Sequence, residues 1–170
     1  MSLTSPAPLA MLAALLAAAP SASASEATFR AQGNEPFWSL RMGGTAITFQ
    51  PMDGALVTIA PVPQPAVEGG ARVYRATVEN EDFVLSVADN VCTDTMSGMP
   101  FPATVDVELG ADGFSGCGGE PVALLLGEWT VAAIDGKPPV ADTVPTLSFG
   151  EDGKLGGAAS CNRFFGSYTL

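Results

Sequence analysis

The sequence contains no histidine and few basic side chains. Its 170 residues include 7 Lys and Arg against 18 Asp and Glu, so the formal net charge at pH 7 is −11. Without histidine, the chain lacks the commonest general base and the commonest zinc ligand. The acidic charge would repel nucleic acid phosphates and anionic membrane surfaces, and we expect neither as a partner. It would attract a cation or a basic protein, or it serves only solubility; both interpretations stay open.

Apolar runs are short. The run from Leu9 to Ala19 has 11 residues, whereas a membrane-spanning helix needs about 18 or more. Behind it, Ala22-Ser23-Ala24 matches the A-x-A pattern of signal-peptide cleavage sites. We therefore predict a secretory signal peptide at residues 1–24 and a mature chain with no membrane span. An alanine-rich tail without a targeting role is the alternative interpretation.

Cysteine is scarce, and its number is odd: Cys92, Cys117 and Cys161. Export would place these residues in an oxidising compartment, where disulfides persist. Cys92 and Cys117 can close a loop of about 26 residues, which would stabilise the fold by about 3 kcal/mol on the chain-entropy relation. We predict a disulfide between these two residues, which leaves Cys161 unpaired.

Helical spacing of apolar residues is absent from the mature chain, and 19 glycines and 14 prolines disfavour long helices. Apolar and polar residues alternate instead, most clearly at residues 72–89 on both sides of Glu79-Asn80-Glu81, which is typical of paired strands. Further turns are predicted at Met52-Asp53-Gly54, Asp112-Gly113, Asp135-Gly136 and Glu151-Asp152-Gly153. The sequence therefore predicts an all-β fold.

A domain boundary is expected near Pro121, giving a disulfide-bridged β domain at residues 25–123 and a second piece at 124–170. Residues 26–123 carry 13 acidic and 4 basic side chains, a net charge of −9. Residues 124–170 carry 5 and 3, a net charge of −2. The acidity therefore belongs to the first domain. The second piece is below the size at which a single core usually holds without help.

The C-terminal residues carry a tryptophan strand, an L-x-F strand, a glycine-rich turn and a C-N-x-F-x-G-x-Y segment. The matching positions are Trp129, Leu147, Phe149, Cys161, Asn162, Phe164, Gly166 and Tyr168. This pattern resembles the N-terminal half of the META domain, the HslJ-like family, although Ser160 stands where that family usually has glycine. The resemblance implies an exported, β-barrel-like domain of unassigned molecular function that is not an enzyme.

In that family, the cysteine that matches Cys161 pairs with a cysteine in the second half of the domain. The chain ends at Leu170, and the resemblance therefore implies an incomplete META-like domain whose final strand lacks its cover. On this expectation, Phe164, Phe165, Tyr168 and Leu170 are more exposed than such residues usually are.

A second resemblance covers residues 32–120. GNEPFW at residues 33–38 is followed by a C-x-D-x-M-S segment that begins at Cys92, and then by F-P and G-C-G-G segments. The pattern resembles a family of uncharacterised secreted bacterial proteins that are often joined to META or lysozyme-inhibitor-like domains. It implies work in the cell envelope, periplasmic or secreted, and gives no mechanism.

GNEPFW also suggests a candidate binding site. Glu35 and Trp38 would line a ligand groove if they are exposed, since amphipathic aromatics often serve that role. The alternative is structural: residues 33–36 form a turn, and Phe37 or Trp38 plugs one end of a barrel.

The segment CTDTMSGMPFP contains Ser97, a second candidate. A nucleophilic serine needs an activating base, and neither a histidine nor a G-x-S-x-G elbow accompanies it. We expect instead a disulfide-pinned loop in which Asp94 and Ser97 bind local backbone N–H groups. The acidic cluster Glu79, Glu81 and Asp82 lacks calcium-loop spacing, and we expect a solvated turn there.

Taken together, these patterns predict no catalytic residue, no metal site and no cofactor. We expect a non-catalytic exported envelope protein that binds a small molecule or a protein, with stress response as one context. The alternative is a proteinaceous inhibitor of a basic hydrolase such as lysozyme, which the net charge of −11 favours.

Overall fold

The computed structural model describes residues 28–170, so the predicted signal peptide lies outside the described residues. Within them the chain forms fifteen strands, one short 3-10 helix and no α-helix. The all-β prediction is therefore confirmed. No helix in this part of the chain has the length and apolar character needed to cross a membrane.

The first eleven strands precede the boundary expected near Pro121. They are β1 (Phe29–Asn34), β2 (Phe37–Met42), β3 (Ile47–Pro51), β4 (Val57–Ile59), β5 (Ala66–Glu68), β6 (Ala71–Val78), β7 (Glu81–Ala88), β8 (Cys92–Thr93), β9 (Pro100–Phe101), β10 (Ala103–Leu109) and β11 (Asp112–Gly118). Nine of these strands form one antiparallel sheet in the order β4-β3-β2-β1-β11-β10-β7-β6-β5, while β8 and β9 form a separate ribbon. The large sheet curls until β4 contacts β6, and we call it the curled sheet.

The core lies inside the curled sheet, because alternate residues of each strand point inward. Strand β7 contributes Phe83, Leu85 and Val87, and β10 contributes Ala103, Val105 and Val107. The other buried members are Ala31, Trp38, Leu40, Ile47, Phe49, Ile59 and Tyr74. Burying a large apolar side chain of this kind contributes about 1.5–3 kcal/mol, so the alternation seen in the sequence supplies the main stabilisation of this region.

The β6–β7 turn follows the sequence prediction. Glu79 and Asn80 connect the strands with φ of 52° and 72°, as expected when both central residues of a two-residue type I′ hairpin turn lie in the left-handed region. The segment around Asp53 likewise lies in the connection between β3 and β4.

The β10–β11 turn differs from the prediction. Gly110 and Ala111 form the turn, and Asp112 is the first residue of β11, paired with Leu109. The predicted turn at Asp112-Gly113 is therefore wrong. Gly110 adopts a φ of 58° at the first central position, where a type II′ hairpin favours glycine.

The C-terminal region begins with the 3-10 helix Pro121–Leu124 and continues with four strands. They are β12 (Gly127–Thr130), β13 (Thr146–Phe149), β14 (Lys154–Ala158) and β15 (Arg163–Ser167). These strands form an antiparallel sheet in chain order. Two predicted turns are present: Asp135-Gly136 lies inside an Ile134–Lys137 bridge, and residues 150–153 connect β13 to β14.

One face of this four-stranded sheet is apolar. The register aligns Trp129 with Leu147 and continues through Gly157 to Phe164. Phe149 and Leu155 pair in the neighbouring row on the same face. None of the residues 121–170 is buried, so this face has little cover within the described chain.

The exposure expected near the C-terminus is found for three of the four residues named. Phe165 is 92% exposed, and Phe164 and Leu170 are also exposed. Tyr168 differs, because its hydroxyl donates a 2.7 Å hydrogen bond to the Gly150 carbonyl and its ring meets Phe149 edge-on. Tyr168 is therefore only partly exposed, and the expectation does not hold for it.

Candidate functional site

Trp38 is almost fully buried. Its side chain is only 4% exposed, and its indole Nε1–H donates a 3.2 Å hydrogen bond to the Ser115 carbonyl. The ring lies over Gly33, its cross-strand partner, where an added Cβ would collide with Nε1. Trp38 borders a shallow depression together with Phe37 and Met52, but its buried indole closes the core where β1, β2 and β11 meet, which favours the structural interpretation.

The turn in this motif is also shorter than expected. Gly33 and Asn34 belong to β1, and only Glu35 and Pro36 connect it to β2. The Glu35 side chain is exposed at this turn and stays available for binding, whereas little of the Trp38 side chain is accessible.

The GNEPFW segment and the C-x-D-x-M-S segment meet at Asn34 and Asp94. The Asn34 side-chain amide donates a 2.8 Å hydrogen bond to Asp94 Oδ2 and a 3.2 Å hydrogen bond to the Thr95 hydroxyl. Asp94 is buried, so this contact fixes the 92–101 loop against the end of β1. Sequence reasoning missed Asn34, because nothing local indicates a partner sixty residues away.

Asp94 also organises its own loop. Its Oδ1 accepts hydrogen bonds from the Ser97 hydroxyl and the Ser97 backbone N–H, both at 2.7 Å, and from Met96 N–H at 3.2 Å. The Ser97 hydroxyl in turn accepts a 3.2 Å bond from Met99 N–H. These bonds, led by the Ser97 hydroxyl, lower the pKa of Asp94 from 3.8 to about 2. Asp94 and Ser97 thus make the local backbone bonds expected of a pinned loop.

The predicted disulfide between Cys92 and Cys117 is present, with the two Cα atoms 5.5 Å apart. Cys117 lies on the outer side of β11 and is buried by the loop that carries Cys92. Cys161 is a free, exposed cysteine in the C-terminal region. The bridge therefore holds the 92–101 loop to the outer face of the curled sheet.

A shallow cavity of about 370 Å³ lies beside this loop. It brings together the candidates Glu35 and Asp94 with Asn34, Thr95 and the disulfide. Asp94 and Asn34 bind each other at this cavity, and we regard it as part of the loop attachment.

A larger cleft, of about 440 Å³, opens at one end of the curled sheet. Four hairpin connections border this end: residues 35–36, 52–56, 79–80 and 110–111. We call it the turn-end cleft. Its floor consists of Val57, Val78, Leu109 and Phe114, which are only partly buried and pack against the core.

The rim of the turn-end cleft is acidic. Four carboxylates line it: Asp53, Glu79, Glu81 and Asp112, with no Lys or Arg among the lining residues. Within residues 28–170, none of these four side chains makes an ion pair or a side-chain hydrogen bond. On the outer wall, by contrast, Glu68 is paired with Arg75. The negative charge of the cleft is therefore left uncompensated by the protein.

The acidic turn singled out in the sequence forms only half of this rim. Glu79 and Glu81 line the cleft, whereas Asp82 does not, and Asp53 and Asp112 come from other hairpins. No three His, Cys, Asp or Glu side chains among the described residues are grouped to hold a metal ion. The sequence could have indicated Asp53 and Asp112 only through their positions in predicted hairpins, since alternate turns of successive hairpins lie at the same end of a sheet.

Comparison with known proteins bears on the C-terminal region. Residues 122–170 match the model of the META domain family; the match includes the 3-10 helix except Pro121 and all four strands of the second sheet. The resemblance drawn for residues 32–120 is not addressed by this match and stays a prediction. No curated protein and no solved structure matches the chain. The four-stranded sheet is therefore formed by a META-like segment.

Proposed function

We propose that this protein is a non-catalytic binding protein of the cell envelope that takes a basic partner at the turn-end cleft. The observation that carries the proposal is an opening of about 440 Å³ in which an apolar floor meets four unpaired carboxylates. Clefts that combine an apolar lining with a few polar groups are the usual form of binding sites.

Three observations support an exported location. The first is the signal peptide that the sequence predicts before residue 25. The second is the Cys92–Cys117 disulfide, since disulfides persist in oxidising compartments. The third is the META-like segment at residues 122–170, which agrees with the envelope location that this family's resemblance implies.

A non-catalytic role is supported by the environment of the best nucleophile candidate. The Ser97 hydroxyl donates its hydrogen bond to Asp94, a carboxylate whose low pKa makes it a poor base at neutral pH. Ser97 therefore serves the loop, and the proposal assigns it no chemical step.

Inhibition of a basic hydrolase such as lysozyme is the second candidate function. It is favoured by the concentration of acidic side chains in residues 26–123, net −9, and by the four of them that line an open cleft, which a basic loop would enter. Complementary charge would speed association and make it sensitive to salt.

Lysozyme activity and pentalysine binding, measured with the mature chain, test both functions. The rim variant Asp53→Asn/Asp112→Asn removes two carboxylates from the cleft, and Glu120→Gln/Glu128→Gln removes two exposed carboxylates elsewhere as a matched control. We expect pentalysine to shift amide resonances of the four turns at low salt in the wild type and the control, and to bind the rim variant clearly more weakly.

The outcomes separate the two functions. Full lysozyme activity at low salt, with a large excess of the mature chain, removes the inhibitor function alone. If neither pentalysine nor lysozyme shifts any turn resonance, the proposed binding function is wrong as well.

A further inference from the structure

We infer that the turn-end cleft selects an amphipathic cation, a small molecule with one ammonium or guanidinium group on an alkyl or aryl body. This inference rests on the proposed binding function and narrows it to a ligand class. It follows from two properties of the cleft, an apolar floor and an acidic rim. A ligand that is only basic would contact the rim and leave the floor unused.

The first property is the floor. Val57, Val78, Leu109 and Phe114 belong to β4, β6, β10 and β11 and lie near the turns that border the cleft. Their side chains have no hydrogen-bonding group, so a wholly polar ligand would leave them in contact with water. An apolar body laid on this floor would release that water, which is the main favourable term in ligand binding of this kind.

The second property is the rim. The same opening is surrounded by four carboxylates, with no Lys or Arg among the lining residues: Asp53, Glu79, Glu81 and Asp112. A bound cation is therefore attracted electrostatically, and an anion is repelled. Glu79 is held in the left-handed region by its turn, a conformation that costs free energy for a side chain other than Gly or Asn. The carboxylate of Glu79 is therefore presented at the rim by a tightly specified turn.

The size of the cleft fits a small ligand. Its volume of about 440 Å³ falls within the range of about 300–1,000 Å³ that is typical of small-molecule sites. A cation with a short aliphatic or aromatic body would fill the floor while its charged head reaches the rim.

Titration of the mature chain with octylammonium tests the inference, followed by calorimetry and by amide resonances. Three comparison ligands isolate each property: octanoate keeps the tail and reverses the charge, methylammonium keeps the head without the tail, and spermidine is a cation without a terminal apolar body. We expect octylammonium to bind at least tenfold more tightly than each of them. From butylammonium to octylammonium, each methylene that becomes buried should tighten binding by up to about fourfold.

Variants locate the site. Glu79→Gln/Asp112→Asn keeps the side-chain shapes of the rim and should weaken octylammonium binding at least fivefold. Glu120→Gln/Glu128→Gln removes the same charge away from the cleft and should leave the affinity within twofold. Resonances of residues 79–80 and 110–114 should move in the wild type.

The outcomes separate this inference from the function on which it rests. If spermidine or pentalysine binds at the turns as tightly as octylammonium, and tail length has no effect, the amphipathic ligand class is wrong and the basic-partner function stands. If octanoate binds equally well, the role of the rim is wrong. If no cation shifts the turn resonances, both the inference and the proposed function are overturned.

Discussion

Removal of the Cys92–Cys117 disulfide should strongly destabilise the curled sheet. The two cysteines are 25 positions apart, and closing a loop of this length stabilises the folded chain by about 3–3.5 kcal/mol on the chain-entropy relation. For a domain of about one hundred residues, a loss of that size lowers Tm by about 15–25 °C. The double variant Cys92→Ala/Cys117→Ala is the perturbation, since alanine leaves no buried hydroxyl beside β11.

Urea unfolding followed by tryptophan fluorescence measures this loss. Trp38 is buried in the curled sheet while Trp129 is half exposed in the second sheet, so a Trp129→Phe background assigns the signal to the curled sheet. Cys161→Ser is the matched control, because Cys161 is free and exposed, and its free energy of unfolding should change by less than about 0.5 kcal/mol. A loss below about 1 kcal/mol in the double alanine variant would refute the reasoning.

Three further predictions concern single side chains. Gly116→Ala should lower the free energy of unfolding, measured in urea, by about 2 kcal/mol or more, because the added Cβ would collide with the Gln32 carbonyl. Gly43 has open space around it, so the control variant Gly43→Ala should leave this free energy nearly unchanged. The pKa of Asp94 in the folded chain is about 2, so the stabilisation by its carboxylate is present above about pH 4 and is lost as the pH falls through 2. Asp94→Asn should therefore flatten the plot of unfolding free energy against pH in that window. Phe165→Ser should leave Tm unchanged and reduce aggregation in light scattering, since Phe165 is exposed.

Local patterns predicted the strands well because their causes are local. Alternation in residues 72–89 directly reflects which side chains face the core, and the hairpin between β6 and β7 forms where the alternation breaks. The β10–β11 turn was misplaced because two turn signals, Gly110 and Asp112-Gly113, lie next to each other. The register that decides between them places Cys117 opposite Thr104 and within reach of Cys92, a contact that local turn chemistry does not encode.

The candidate site was harder to predict because it depends on strand order. Asp53, Glu79 and Asp112 belong to three different hairpins and meet only because their turns share one end of the curled sheet. Trp38 was ambiguous for the same reason, since its hydrogen-bond acceptor, Ser115, lies on β11. The sequence motifs were enough to predict the disulfide and the pinned loop at residues 92–101, but they did not predict the turn-end cleft.

The neighbourhood of β1 and β11 has a consequence for the order of folding. Strands β1 to β4 are joined by short connections, yet the other side of β1 is occupied by β11, where Ala31 pairs with Gly118. Contacts so distant in sequence slow folding, because the loop between them must be closed before they form. Until residues 112–118 have been synthesised, β1 presents an open edge able to pair with other chains. A fragment that ends before β11 should therefore aggregate.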